Sequence, residues 1–136
     1  MGTVLGIDYG DARIGLAVTD KDRKHALAHG TVLAQPPVGA LTILLTVIER
    51  EAVDTLVVGL PLTLDGTEGK QAVKTRVFAA SLRAAATLPL EFIDERFTTS
   101  GGRDVARLKG TASADAEAAR LILQTWLDRR SAKEIR

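Results

Sequence analysis

The sequence predicts an α/β fold, a mixed sheet with helices packed on it, and three observations lead there. Two short apolar runs open the chain at hairpin spacing. Past the Pro36-Pro37 pair, β-rich apolar runs alternate with segments of helical periodicity. A length of 136 residues, 46% hydrophobic and 26% charged, suits one ordinary globular domain with a continuous core.

Residues 4–8 and 13–19 read as strands joined by the turn Tyr9-Gly10-Asp11-Ala12, because Gly and Asp tolerate tight-turn dihedrals. Residues 26–33 read as a third strand. After the prolines, residues 38–52 place Leu41, Leu44, Leu45 and Ile48 at helical spacing. Residues 55–59 look like a buried strand, residues 61–69 a turn-rich loop, and residues 70–86 a second helix. Pro89 stops that helix, and residues 90–95 form the next strand. A helix is expected over residues 99–108 despite Gly101-Gly102, closed by Gly110. Ser113 would then cap a last helix ending near Arg130. The order β-β-β-α-β-α-β-α-α is a meander followed by strand–helix alternation, hence a mixed sheet.

Composition excludes several chemistries. With no Cys there is no disulfide, thiolate nucleophile or Cys-based zinc or iron–sulfur site. The longest apolar stretch, residues 41–48, is far short of a membrane span. The start, Val4-Leu5-Gly6-Ile7, lacks the basic region and cleavage site of a signal peptide, so a cytoplasmic location is expected. The net charge of +1 hides an asymmetry: residues 1–66 carry five Lys/Arg and eight Asp/Glu, residues 67–136 thirteen and nine. On the second helix the charged residues are Lys70, Lys74, Arg76 and Arg83, a one-signed set that suits a polyanion and equally a solvated helix face.

The informative residues are acidic. Asp8 ends an apolar strand, where a dry, unpaired carboxylate costs several kcal/mol; capping the following turn is the plainer role. Asp94-Glu95 closes another strand, Asp94 on the face of Leu90 and Phe92 and Glu95 on the face of Ile93, and periodicity does not choose between them. Asp115 lies in the first turn of the last helix, where the helix dipole favours a carboxylate. It also heads the stripe of Ala118, Ala119, Ile122 and Trp126, the face turned to the core. Carboxylates gathered from three element ends repel one another unless cations neutralise them. Hard oxygen ligands without Cys select Mg2+ or Mn2+ over zinc, and a pair of such ions hydrolyses phosphodiesters.

Gly6-Ile7-Asp8-Tyr9-Gly10 with Arg13-Ile14-Gly15-Leu16-Ala17 resembles the opening motif of the Holliday-junction-resolvase-like proteins of the YqgF type. Val57-Val58-Gly59-Leu60-Pro61-Leu62 with Asp65-Gly66-Thr67-Glu68 resembles their second motif, and Asp94-Glu95-Arg96-Phe97-Thr98-Thr99 their third. Asp115 with Ala118, Ala119, Ile122 and Leu123 resembles the last. The resemblance implies a ribonuclease-H-like fold over residues 1–136, a five-stranded mixed sheet with helices on both faces. It implies Asp8, Glu95 and Asp115 as catalytic, metal-binding acids of a two-metal nuclease. The implied task is 5′-end maturation of the small-subunit (16S) ribosomal RNA precursor. The family's older label points to branched DNA, though fold likeness is a poor warrant for substrate. Lys109-Gly110-Thr111-Ala112-Ser113-Ala114 departs from the Lys-rich segment common at this place in the family, which shifts weight to Lys109 and the second helix.

Arg13, Lys70, Lys74, Arg96 and Lys109 are the expected nucleic-acid contacts, with ion pairing to neighbouring acids the equal alternative for Arg13 and Arg96. Thr98 and Thr99 suit helix capping, the 61–69 loop follows a strand end where ligands often bind, and His25 and His29 receive no role. An aromatic content of 4% argues against stacking platforms, so recognition rests on phosphates and shape. Two rivals remain open beside the RNA nuclease: a resolvase of branched DNA and a catalytically silent nucleic-acid-binding module. A sugar-kinase-like reading of the first motif needs two such domains, which 136 residues do not supply. Monomer and homodimer are both compatible with the sequence.

Overall fold

The computed structural model describes residues 2–97 and 112–135. Strands β1 (Thr3–Tyr9), β2 (Arg13–Thr19) and β3 (Ala26–Leu33) form the opening meander. Helix α1 (Pro37–Arg50) leads to β4 (Val53–Leu60), and α2 (Lys70–Ala86) leads to β5 (Leu90–Asp94). A short 3-10 helix, Glu95–Phe97, follows β5, and α3 (Ala112–Ile135) is the last element. The five strands lie in the order β3-β2-β1-β4-β5. Neighbours in the β1–β2–β3 meander are antiparallel, whereas β4 runs parallel to β1 and β5 parallel to β4.

Alternation along the central strands divides the core into two layers, one on each face of the sheet. Leu5, Ile7, Ile14, Leu16, Leu56 and Val58 point to one face and pack under Leu44 of α1 and Phe78 and Leu82 of α2. Val4, Ala17, Val57 and Ile93 point to the other and meet Ala119, Ile122, Leu123 and Trp126 of α3. The sheet is thus covered on both sides, as expected. No described helix is long and apolar enough to cross a membrane.

Element ends depart from the sequence reading for local reasons. Helix α1 starts at Pro37, the first helical position, where a missing N–H costs nothing. It stops at Arg50 because Ala52 takes φ 53°, and β4 begins at once, two residues earlier than expected. Ser113 is no cap: it sits inside the first turn of α3. That helix runs past Arg130 to Ile135, since no Gly or Pro interrupts residues 131–135. Glu95 belongs to the 3-10 turn and not to the strand. The expected helix over 99–108, with Thr98, Thr99 and Lys109, lies outside the described residues.

Two features mark the sheet's edges. The β2–β3 pairing shifts register between Gly15 and Ala17, and Gly30 within β3 adopts φ 89°. At the opposite edge β5 is only five residues long, with the Arg76 guanidinium 4.9 Å from the centre of its Phe92 ring.

Candidate active site

The acids meet where β1 and β4 end and α3 begins. Asp8 follows Val4 and Gly6 on the α3 face of β1, and its register partner on β2 is Gly15. With no side chain at Gly15, the helix start comes very close: a Cβ there would stand 1.9 Å from the backbone oxygen of Asp115. Gly6 and Gly59 clear the same face, their Cβ positions falling 2.7 Å from Leu123 Cβ and 2.4 Å from Ile122 Cδ1. Sheet and helix are therefore in near-backbone contact, and that closeness brings Asp115 beside Asp8.

Glu95 reaches the same point from β5. A Cβ on Gly59 would lie 2.7 Å from Glu95 Oε1, so the Glu95 side chain crosses the bare backbone of β4. Its carboxyl hydrogen-bonds to Asp8. Asp94 instead accepts bonds from Arg96, including Nη2 to Oδ2 at 2.7 Å, which lower its pKa, and its charge adds to the upward push on Glu95. Of the adjacent pair, Glu95 is the residue that joins Asp8. Asp115 acts on Asp8 through its charge, while its Oδ2 takes a hydrogen bond from Arg13 Nε at 2.6 Å.

Burial pushes the Asp8 carboxyl above its usual range and the charge of Asp115 adds to this, with the Glu95 hydrogen bond opposing. Burial first, then the charge of Asp8, pushes Glu95 from 4.5 up to about 8. Both groups hold protons more tightly folded than unfolded; the Glu95 contribution to stability is fully present below pH 4.5 and is lost as pH rises through about 8, and Asp8 acts in the same sense. The lowered carboxyls, such as Asp54, Asp65 and Asp94, act in the opposite sense and only in more acid solution. Thermal melts of the metal-free protein are thus expected to show a falling Tm between pH 5 and pH 8. Glu95→Gln should flatten that slope; an unchanged slope in the variant would assign it to other groups.

Among the described residues, no three His, Asp or Glu side chains stand close enough together to hold a metal ion as they are. Two of the acids are joined to each other and the third to Arg13. The donor set nevertheless suits a hard divalent cation: it is all oxygen, and burial with mutual repulsion disfavours its full ionisation.

The expected phosphate contacts surround this end unevenly. Lys74 of α2 reaches Asp11 in the β1–β2 turn, Nζ to Oδ1 3.3 Å, and Lys70 is exposed at the start of the same helix. Arg96 stays on Asp94 and lies against Gly66, whose Cβ position would be 3.3 Å from Nη1. The loop after β4 is staked by Asp65, which accepts bonds from the hydroxyls of Thr63 and Thr67 and from the Thr67 N–H. Those bonds lower Asp65 to about 2. Sequence reasoning missed Gly6, Gly15 and Gly59, although a glycine inside a strand pattern is a known sign of close backbone approach.

Residues 2–129 match the family described as "RuvX: Holliday junction resolvase". A protein of Anaeromyxobacter sp. (strain K) named "Putative pre-16S rRNA nuclease" is 42% identical over 133 residues, covering 93% of this chain and 97% of the relative. One of Chloroflexus aurantiacus with the same name is 37% identical, over 93% of this chain and 87% of the relative. Among solved structures, T. thermophilus RuvC in complex with a Holliday junction substrate matches with a TM-score of 0.66 at 20% identity over 97% of each chain. Fowlpox virus resolvase in complex with Holliday junction DNA matches with a TM-score of 0.60 at 9% identity, over 94% of this chain and 98% of the other. At such identities the two structures bear on the fold alone, which is the ribonuclease-H-like one. Matched along nearly its whole length by the family and at more than 30% identity by its relatives, the chain belongs to the RuvX family.

Proposed function

We propose that this protein is a divalent-metal-dependent nuclease, a single domain over residues 1–136, that cuts the precursor of 16S ribosomal RNA in the cytoplasm to form its mature 5′ end. The observation that carries this reading is the contact of Glu95 with Asp8 across Gly59, at the point where α3 delivers Asp115. The names of the relatives from Anaeromyxobacter and Chloroflexus support the RNA substrate. Asp8, Glu95 and Asp115 would hold Mg2+ or Mn2+. When bound, such ions activate water and stabilise the leaving oxygen of a phosphodiester.

The chain's own residues do the remaining work. Arg13, at the rim of the acids, offers a planar fork that matches two phosphate oxygens. Lys70, Lys74 and Arg96 extend the cationic contact outward, Lys109 is a further contact expected from the sequence, and the hold of all four on nucleic acid weakens with salt. Close packing of α3 on Gly6, Gly15 and Gly59 keeps the acids in place without loops of their own.

Incubation with a labelled 16S precursor 5′ leader and a labelled four-way DNA junction, in Mn2+, Mg2+ or EDTA, tests the reading. Cutting of the leader alone, abolished by EDTA, is expected. Cutting of the junction alone would replace it with branched-DNA resolution, the activity in the name of the matched family. Binding without cutting of either would leave a silent nucleic-acid-binding module. In the same preparations Mn2+ or Mg2+ should raise Tm, since a ligand of the native state stabilises by mass action. The Asp8→Asn, Glu95→Gln, Asp115→Asn triple variant should lose the shift; equal shifts in both proteins would remove the acids from metal binding.

A further inference from the structure

Arg13 opens β2 and lies two residues before Gly15, on the strand face that meets the start of α3. Its Nε holds Oδ2 of Asp115 at 2.6 Å, joining residues 102 positions apart. The two side chains are 31% and 27% exposed, so the pair is neither sealed in the core nor fully solvated. Asp8 and Glu95, meanwhile, are bonded to each other. Each acid of the site therefore has a partner within the chain. That arrangement explains why, among the described residues, no three carboxylates stand ready as ligands.

A guanidinium does not give up its charge near neutral pH, so it leaves a carboxylate only by exchange with another cation. Its planar fork binds phosphate as well as carboxylate. A half-exposed pair of this kind is weak enough to exchange. We propose that Arg13 is a displaceable counter-cation, holding Asp115 until a divalent ion takes that carboxylate, and that the guanidinium so released binds the substrate phosphate. The proposal rests on the nuclease reading and adds a coupling to it. Metal and substrate contend with the same ion pair from opposite ends, so each promotes the binding of the other. Linkage requires the factor to be equal in both directions.

The test is Mn2+ binding, read as loss of the free-ion electron paramagnetic resonance signal, which involves no turnover. Arg13→Gln is expected to tighten the Mn2+ Kd by about fivefold, the scale of a partly exposed ion pair. Arg23→Gln removes the same charge from Asp54, which sits beside Gly2 at the starts of β1 and β4, the strand ends opposite the acids, and should change Kd by less than about twofold. Adding a hydrolysis-resistant phosphorothioate RNA should tighten Mn2+ binding to the wild type by about the same fivefold and leave Arg13→Gln unmoved. Equal Kd values for wild type and Arg13→Gln would overturn the counter-cation. So would an equal gain in Arg23→Gln, because bulk charge would then account for the effect. Failure of the wild type to bind Mn2+ at millimolar concentration would overturn this inference together with the metal site; the other two outcomes leave the metal site standing.

Discussion

Asp8→Asn is expected to lower metal-dependent cleavage by about a thousandfold or more, on the basis that metal charge stabilisation supplies several kcal/mol. The same change should make the metal-free protein more stable. Asp8 is a carboxyl raised by burial, in contact with Glu95 and within the field of Asp115. An amide of the same shape keeps a hydrogen-bonding group for Glu95 and removes one of the charges that repel. Relief of a buried, imperfectly compensated charge is commonly worth about 1–2 kcal/mol. Single-turnover cleavage and urea denaturation in EDTA measure the two effects on one preparation. A variant within tenfold of wild-type activity would take Asp8 out of the mechanism. A large loss of stability would mean that it serves the fold instead.

Gly15→Ala carries no chemistry and should be nearly as damaging. The added methyl would stand 1.9 Å from a backbone oxygen, that of Asp115, and neither strand nor helix start moves easily. The expected cost is about 3 kcal/mol, the upper end for overpacking. Cleavage should fall with it, because the displaced residue is Asp115 itself. Gly39→Ala is the matched control: it lies inside α1, and its Cβ would meet nothing nearer than Pro36 Cγ at 3.6 Å. There alanine should stabilise, by about 0.5–1 kcal/mol. Denaturant midpoints of the two variants moving in opposite directions is the expected result, and a neutral Gly15→Ala would show that α3 does not sit where the site requires it.

Much of this fold is legible in the amino-acid order alone. The apolar runs of β1 and β2, the turn between them and the length of α2 follow from local chemistry, and so they agree closely with the fold. Asp115 is legible through its stripe, because Ala119, Ile122 and Trp126 are indeed buried against the sheet. Glu95 is not separable from Asp94 by alternation. Both faces of the sheet are covered by helices, so alternation sorts the two carboxylates onto opposite faces without saying which face holds Asp8. What decides is the register of β4 against β5, Gly59 opposite Ile93, which is a long-range fact. The Arg13–Asp115 pair joins the second strand to the last helix and leaves no trace in either segment alone. The three glycines do leave a trace, in strands otherwise rich in branched side chains, and its meaning emerges only with α3 lying on top of them.

The break in β3 bears on how the molecule behaves in a crowded solution. A sheet with straight outer strands offers rows of unpaired amide groups, and a second sheet can add itself to them. Here the register shift opposite Gly30 bends one outer row, and the other belongs to a five-residue strand, too short to template much pairing. Straightening β3 by deleting Gly30 would give the chain a smoother edge and, with Leu27 and Leu33 already 57% and 69% exposed along it, a readier path to fibrous self-association.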